Sequence, residues 1–189
     1  MINERSPRMT LSLDESRPSP WVLRFAGLIP ERGEVLDLAC GSGRHARFLA
    51  GLGYHVEAVD RNPLVLRSLQ GLCRVSARQS DLEAGVWPYG GRSFAGIVVT
   101  NYLFRARLAE LLACLADPGI LIYETFMVGN ERYGKPANPE FLLRSQEMLG
   151  WVQRPAWRVL AFEEGQVKVP RAAVVQRLCA ARGSIGARL

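Results

Sequence analysis

One stretch near the N-terminus, residues 34–45, limits the folds that this chain can adopt. A short apolar run leads into a turn that contains Gly41 and Gly43, and a helical pattern begins at Arg44. Glycine lets a ligand approach the backbone closely, and a helix N-terminus offers free N–H groups and the positive end of a dipole. The stretch therefore predicts a strand–turn–helix unit with a ligand site at the turn. With Ala46 as a third small residue, the spacing also fits the G-x-G-x-x-G/A pattern of dinucleotide sites.

The acid within the strand, Asp37, helps to distinguish which of two kinds of cofactor such a turn binds. In a dinucleotide site the turn amides face an anionic pyrophosphate after an almost wholly apolar strand. Asp37 stands four residues before Gly41, where a carboxylate would repel a pyrophosphate but can hold an ammonium group, directly or through water. S-adenosyl-L-methionine carries that ammonium group and no phosphate. Residues 35–43 resemble the first motif of the class I, seven-stranded S-adenosylmethionine-dependent methyltransferases, in which this loop wraps the methionine part and the ribose of the cofactor.

The segment after the turn predicts a parallel βαβ unit. A run rich in β-branched residues at 54–60 ends in an acid, Pro63 stops it, and a helix is predicted at 64–73. Asp60 lies 17 residues beyond Gly43, where a carboxylate at the end of the neighbouring strand can accept hydrogen bonds from both ribose hydroxyls. Both candidate cofactors contain a ribose, so Asp60 supports the site without choosing between them.

The rest of the pattern completes a seven-stranded sheet. Further strands are predicted at 74–79, 94–100, 119–126, 157–163 and 167–181, and further helices at 19–28, 103–116 and 138–149. The last two strands are predicted to be antiparallel because residues 163–166 join them as a short hairpin. A terminal hairpin also resembles the methyltransferase fold, whereas nucleotide-binding dehydrogenase domains lack it. The predicted fold class is α/β, a three-layer, doubly wound and mostly parallel sheet with a C-terminal antiparallel β-hairpin.

Two further features extend the resemblance. Asp81 follows the third predicted strand, as does the methyltransferase acid that pairs with the adenine amino group. Residues 123–142 are similar to small bacterial methyltransferases of the tellurite-resistance type. One difference is that Arg44 stands where the family often has a third glycine.

Length, charge and cysteine content narrow the function classes. The 189 residues suit one domain at 19–189 after a polar, flexible leader or lid at 1–18. With no signal-peptide core and no apolar span of roughly 18 residues, a cytoplasmic protein without membrane contact is expected. The four cysteines are far apart and form no C-x-x-C pair, which argues against a metal site and a disulfide scaffold. The net charge of +6 comes from dispersed residues, nearly all arginine, so nucleic acid is a disfavoured but open partner. A monomer or a homodimer is expected.

The residues predicted to bind S-adenosyl-L-methionine lie at the carboxyl ends of the strands, where open α/β sheets bind ligands. They are Asp37, Ala39, Cys40, Gly41, Ser42, Gly43, Arg44, His45, Asp60, Arg61, Asp81, Leu82, Asn101 and Tyr102. The residues predicted to meet the methyl acceptor are Trp21, Tyr102, Glu124 and Tyr133. Trp21 has a core position as its alternative, and His45 a place on the helix surface. The acceptor pocket is expected over Tyr102, Glu124 and the loop 127–138, with the leader as a lid.

The predicted activity is methyl transfer to a small-molecule acceptor by in-line displacement. A sulfonium already activates the methyl carbon, so positioning in a water-poor site can supply most of the acceleration, and no catalytic residue is predicted. The chain carries little beyond the predicted core fold, which favours a small acceptor. The open alternatives are a non-catalytic S-adenosylmethionine-binding sensor or partner subunit, an RNA or protein methyltransferase, and a nicotinamide dehydrogenase, which Asp37 and the terminal hairpin disfavour.

Overall fold

The protein is built on one seven-stranded sheet with the strand order β3-β2-β1-β4-β5-β7-β6. The computed structural model describes residues 17–169 and 171–184. The strands are β1 Glu34–Leu38, β2 His55–Asp60, β3 Val75–Gln79, β4 Phe94–Thr100, β5 Leu115–Phe126, β6 Trp157–Val167 and β7 Ala173–Arg182. The first five strands are parallel, and β7 runs antiparallel to both β5 and β6. The sheet therefore confirms the predicted fold class, including its C-terminal antiparallel pair.

Helices cover both faces of this sheet. They are α1 Pro20–Phe25, α2 Arg44–Gly51, α3 Pro63–Leu66, α4 Leu108–Ala113 and α5 Glu147–Trp151. On one face, Val35 and Val98 of the central strands belong to a core with Trp21 and Leu49 of α1 and α2. On the other face, alternate strand residues belong to a second core with α4 and α5. Two cores separated by one sheet give the predicted three layers. No helix in the described part of the chain is long and apolar enough to cross a membrane.

Three predicted helices differ from the structure, and the one predicted at 64–73 is α3 followed by a 3-10 turn, Arg67–Leu69. The helix predicted at 103–116 is limited to α4 and a preceding 3-10 turn, because the chain already pairs with β4 at Leu115. The helix predicted at 138–149 is a 3-10 turn, Pro139–Phe141, followed later by α5. Within and just after this 3-10 turn, the backbone carbonyls of Glu140 and Leu142 accept hydrogen bonds from the guanidinium of Arg105. Those carbonyls are thus satisfied by a side chain from another segment, which sequence periodicity cannot reveal.

The terminal hairpin turns later than predicted. Residues 163–166, predicted as the turn, lie inside β6, where Gly165 pairs with Val175 of β7. The connection is at 168–172, so β6 runs on to Val167 and β7 begins later than predicted, at Ala173. Of the predicted leader at 1–18, residues 1–16 lie outside the described residues. Arg17 and Pro18 are described, and they precede Ser19, the N-cap of α1.

Candidate functional site

The glycine turn lies at the carboxyl edge of the parallel strands, directly after β1. Ala39 and Gly41 take left-handed conformations, with φ of 53° and 54°, and Asn101 after β4 does so at 56°. Such conformations are uncommon for residues other than glycine, and they concentrate at functional sites. The N–H of Cys40 donates to the Val59 carbonyl, which ties the turn to the end of β2.

The side chain of Asp60, the last residue of β2, also stabilises the turn by accepting hydrogen bonds. Its Oδ2 accepts the N–H of Gly41 at 2.9 Å, and its Oδ1 accepts the N–H of Asn62 at 2.9 Å. A carboxylate offers about four acceptor positions, so each oxygen keeps capacity for another donor. Asp60 can therefore support the turn and receive hydroxyl groups of a ligand at once.

Two cavities open at this edge, and Ala39 and Asn101 line both of them. The smaller cavity, about 250 Å³, lies between the ends of β2, β3 and β4. It is lined by Ala39, Asp60, Arg61, Ser80, Asp81, Leu82, Glu83, Asn101 and Tyr102. Its wall carries three carboxylates, and such groups can accept hydrogen bonds from hydroxyl and amino groups.

The larger cavity, about 530 Å³, has two walls of different composition. The turn-side wall is formed by Ala39, Cys40, Gly41, Ser42, Arg44, Thr100 and Asn101. The hairpin-side wall is formed by Arg17, Pro18, Ser19, Pro20, Leu23, Glu124, Phe126, Val167, Val169, Arg171, Ala173, Val175 and Arg177. The N-terminal segment, β5 and the β6–β7 hairpin thus close a space that begins at the glycine turn.

Two buried side-chain oxygens at this edge have no hydrogen-bond partner. They are Oδ2 of Asp37 and the hydroxyl oxygen of Tyr102, the only such atoms among the described residues. A buried polar atom without a partner is costly, so these two atoms suit a ligand that supplies donors. Both belong to residues predicted to bind S-adenosyl-L-methionine, and the donor groups of that cofactor fit them.

Asp37 is almost fully buried behind the turn. Burial raises its pKa to about 7, although the N–H of Ala46 and the charge of Arg44 act in the opposite direction. A carboxyl in this state gains a full charge when a cation approaches, because an opposite charge favours the ionised form. From its position behind the turn, the Asp37 carboxylate can therefore attract an ammonium group.

Three predicted cofactor residues lie outside both cavity walls, namely Asp37, Gly43 and His45. A Cβ at Gly43 would meet the Leu69 side chain at 2.4 Å, so this glycine serves helix packing. His45 is 1% exposed, which corrects the surface alternative. Its Nε2 accepts the N–H of Ser19 at 3.0 Å, and burial lowers its pKa to about 3, so the ring is neutral.

The predicted acceptor residues divide in the structure. Glu124 lies on the hairpin-side wall, and Tyr102 lines the smaller cavity instead. Trp21 is a core residue whose indole N–H donates to the Leu178 carbonyl at 3.2 Å. Tyr133 is 43% exposed and lies outside both walls. Neither Trp21 nor Tyr133 therefore lines the space beside the glycine turn.

Sequence reasoning missed most of the hairpin-side wall. Arg177 stands opposite Glu124 in the β5–β7 ladder and forms an ion pair with it. Ser19 caps α1, and its hydroxyl also donates to Oε1 of Glu124 at 2.9 Å. The sequence carries no signal for these contacts, because an antiparallel register and a contact across 105 positions depend on the tertiary fold.

Fold and site together resemble the class I methyltransferases in three features: a seven-stranded sheet with an antiparallel end, a glycine turn after β1 and an acid at the end of β2. Residues 35–118 match the family model described as a methyltransferase domain. The chain is 32% identical to the uncharacterized methyltransferase YodH of Bacillus subtilis (strain 168) over 111 residues, which are 53% of this chain and 46% of YodH. It is 28% identical to a tRNA U34 carboxymethyltransferase of Methylococcus capsulatus over 145 residues, 66% of this chain and 44% of that one.

Solved structures share the fold at low sequence identity. TehB of Haemophilus influenzae has a TM-score of 0.69 and 20% identity, covering 86% of this chain and 61% of TehB. The glycopeptide N-methyltransferase MtfA, complexed with S-adenosyl-L-homocysteine, has a TM-score of 0.60 and 18% identity, covering 96% and 94%. The comparisons confirm the predicted methyltransferase fold, and residues 35–118 match a methyltransferase domain. The chain spans less than half the length of the curated relatives it matches.

Proposed function

We propose that this protein transfers a methyl group from S-adenosyl-L-methionine to a small-molecule acceptor. The observation that carries the proposal is the pair of adjoining cavities that share Ala39 and Asn101. A two-substrate transfer needs two binding spaces that meet at the reacting atoms. The two residues common to both cavities are the point at which such spaces meet.

We assign the smaller cavity to the adenosine part of the cofactor. Asp60 would accept the ribose hydroxyls, and Asp81 with Leu82 would border the adenine. The hydroxyl of Tyr102 would gain the partner that it lacks. The methionine part would lie along the turn at Gly41 and Ser42, with Asp37 behind it.

The chemistry asks little covalent work of the protein. When bound, S-adenosyl-L-methionine supplies a methyl group on a positively charged sulfur that is open to in-line displacement. The chain's own residues bind the two partners, orient them and exclude water. Ala39 and Asn101 set the backbone conformation at the junction of the cavities, and the hairpin-side wall orients the acceptor.

A small acceptor fits the way in which the larger cavity is closed. Ser19 and Pro20 border it on one side, and Val167, Val169 and Arg171 at the hairpin turn border it on another. Its volume of about 530 Å³ must hold the methionine part of the cofactor as well as the acceptor. The remaining room suits a small molecule better than a nucleotide within a folded RNA.

An RNA or protein acceptor is the second candidate. Relatives of this chain include a tRNA U34 carboxymethyltransferase and a protein-L-isoaspartate O-methyltransferase of Chlorobium limicola, the latter 37% identical over 98 residues, 49% of this chain and 44% of that one. The net charge of +6 would also suit RNA.

The test supplies methyl-labelled S-adenosyl-L-methionine with three separate acceptor pools: a small-molecule extract, bulk tRNA and denatured protein. We expect label in the small-molecule pool and none in the others. The Asp60→Ala variant serves as the matched blank. Label confined to tRNA or protein would contradict a small acceptor. Tight binding of the cofactor without transfer to any pool would support the non-catalytic sensor instead.

A further inference from the structure

The hairpin-side wall of the larger cavity carries more positive than negative charge. Among the described residues that line this wall, Glu124 has the only carboxylate, and it is 7% exposed. One oxygen of Glu124 accepts the Ser19 hydroxyl, and the other pairs with Arg177. Glu124 and Arg177 therefore balance each other inside the wall.

Two more arginines of this wall have no such balance. Within residues 17–169 and 171–184, neither Arg17 nor Arg171 forms an ion pair with a carboxylate. The guanidinium of Arg171 lies 5.7 Å from the centroid of the Phe126 ring, which holds it above the apolar part of the wall. A guanidinium offers a planar fork of donors that suits carboxylate and phosphate groups.

The rest of the wall is apolar. Phe126 and Val175 come from the β5–β7 pair, Val167 and Val169 from the end of β6 and the turn, and Leu23 from α1. Apolar side chains around a few placed polar groups are the usual composition of a small-molecule site. This surface would bury the carbon skeleton of an acceptor rather than a sugar–phosphate chain.

The charged groups of the wall are also arranged by sign along it. Glu124 is the register partner of Thr100, and its carbonyl accepts the N–H of Asn101, so it sits beside the residues common to both cavities. Arg17 and Arg171 belong instead to the N-terminal segment and the hairpin turn. A carboxylate accepts O–H and N–H donors and repels anions, whereas the arginines do the reverse.

We propose that the methyl acceptor has an apolar body, an anionic group held by Arg171 and Arg17, and an O–H or N–H nucleophile that donates to Glu124. This inference rests on the proposed function, because it assigns the hairpin-side wall to the acceptor. The anionic group is a carboxylate or a phosphate. Glu124 orients the nucleophile toward the junction of the two cavities, and Ser19 and Arg177 fix its carboxylate in place.

The test measures binding of matched probes to the full chain saturated with S-adenosyl-L-homocysteine. The probes are para-hydroxybenzoate, para-hydroxyphenyl phosphate, the neutral para-hydroxybenzamide and the cationic para-hydroxybenzylamine, and ligand-observed NMR measures the binding of each. We expect the benzoate or the phosphate to bind at least about fivefold more tightly than the amide, with the amine weakest and with the preference reduced by added salt. Which of the two anions binds better identifies the anionic group.

Variants of the hairpin turn provide the control. Arg171→Gln should weaken the preferred anion about fivefold or more, and Arg171→Lys should restore part of the loss. Lys168→Gln removes the same charge from the same turn, but Lys168 does not line the cavity, so binding should stay within about twofold. Equal binding of amide and anions, equal effects of the two charge removals, or binding of tRNA in place of all four probes would overturn the inference. Failure of S-adenosyl-L-homocysteine to bind at all would overturn the proposed function instead, so the two failures are distinguishable.

Discussion

The two cavities at the carboxyl edge differ in how the chain assembles them. The smaller one is made almost entirely of residues within a few positions of the ends of β1 to β4, so the parallel sheet itself brings them together. The larger one needs a contact between Ser19 and Glu124 across 105 positions, and it needs the antiparallel hairpin as well. The smaller cavity, the proposed cofactor half of the site, is thus a product of the fold. The larger cavity, the proposed acceptor half, depends on peripheral segments that can change without disturbing the sheet.

The first prediction separates glycines that face a ligand from glycines that face the core. Gly43→Val should lower the free energy of unfolding by about 2–5 kcal/mol, because a branched side chain meets Leu69 and φ is 75° there. Gly41→Ala has a similar φ of 54° but open space at its Cβ, so it should cost only about 1–2 kcal/mol. Urea denaturation of both variants measures the difference. Equal losses would show that Leu69 moves aside freely.

The second prediction concerns the cofactor half. Asp60→Ala should weaken S-adenosyl-L-homocysteine by at least about tenfold, since hydrogen bonds to a charged group are worth roughly 1.5–3 kcal/mol each. Asp60→Asn should lose less because it keeps one acceptor oxygen. The melting temperature should also fall, since Asp60 holds the N–H groups of Gly41 and Asn62. A titration well below that temperature that returned wild-type affinity would restrict Asp60 to supporting the turn.

For a physical reason, sequence reasoning predicted this half of the site and, apart from Glu124, missed the hairpin-side wall of the other half. The glycine turn, Asp60 and Asp81 are local signals at strand ends, and strand ends meet wherever parallel strands are neighbours. By contrast, Arg171 and Arg177 carry no local signal, because their place depends on where the hairpin turns and on its register with β5. The wrong position predicted for the turn, 163–166, and the failure to predict these arginines at the site therefore have the same cause. His45 was missed as a buried residue because its partner, Ser19, comes from a distant segment.

The third prediction uses the pKa of Asp37, about 7, to test its link to the cofactor ammonium. Below that pH the free protein holds a proton on Asp37, and an ammonium neighbour would expel it. Affinity for S-adenosyl-L-homocysteine should therefore fall as pH drops below about 7, by up to about tenfold per pH unit. In the protein without ligand, the stability of the fold depends on pH with the opposite sign. The raised pKa of Asp37 stabilises the fold below the unfolded pKa of 3.8, and this stabilisation is lost as pH rises through about 7.

Calorimetric titrations at several pH values, with Asp37→Asn as the comparison, measure the effect. The asparagine variant should bind more weakly than wild type at pH values above 7 and should lose the slope below it. A slope that persists in the variant would assign the titration to another group.

The smallest expected effect lies in the acceptor half. Ser19→Ala removes the hydroxyl that donates to Glu124 and that caps α1 at the Trp21 N–H, which should cost about 1 kcal/mol of stability. The KM of the acceptor should rise several-fold, while the Kd of S-adenosyl-L-homocysteine should stay unchanged within about twofold. Steady-state kinetics with calorimetry measure both constants. An equal weakening of both ligands would mean that the two cavities are not independent.

The central claim, that the edge beside the glycine turn is built for S-adenosyl-L-methionine and not for a dinucleotide, is tested most directly by calorimetry of the full chain. Asp37 and its unpartnered Oδ2 favour an ammonium-bearing ligand over a pyrophosphate. S-adenosyl-L-methionine or S-adenosyl-L-homocysteine should bind with a Kd of micromolar order, about −8 kcal/mol, with one site per chain and no measurable heat from NAD. Tight binding of NAD with none of the methionine cofactor would contradict the account.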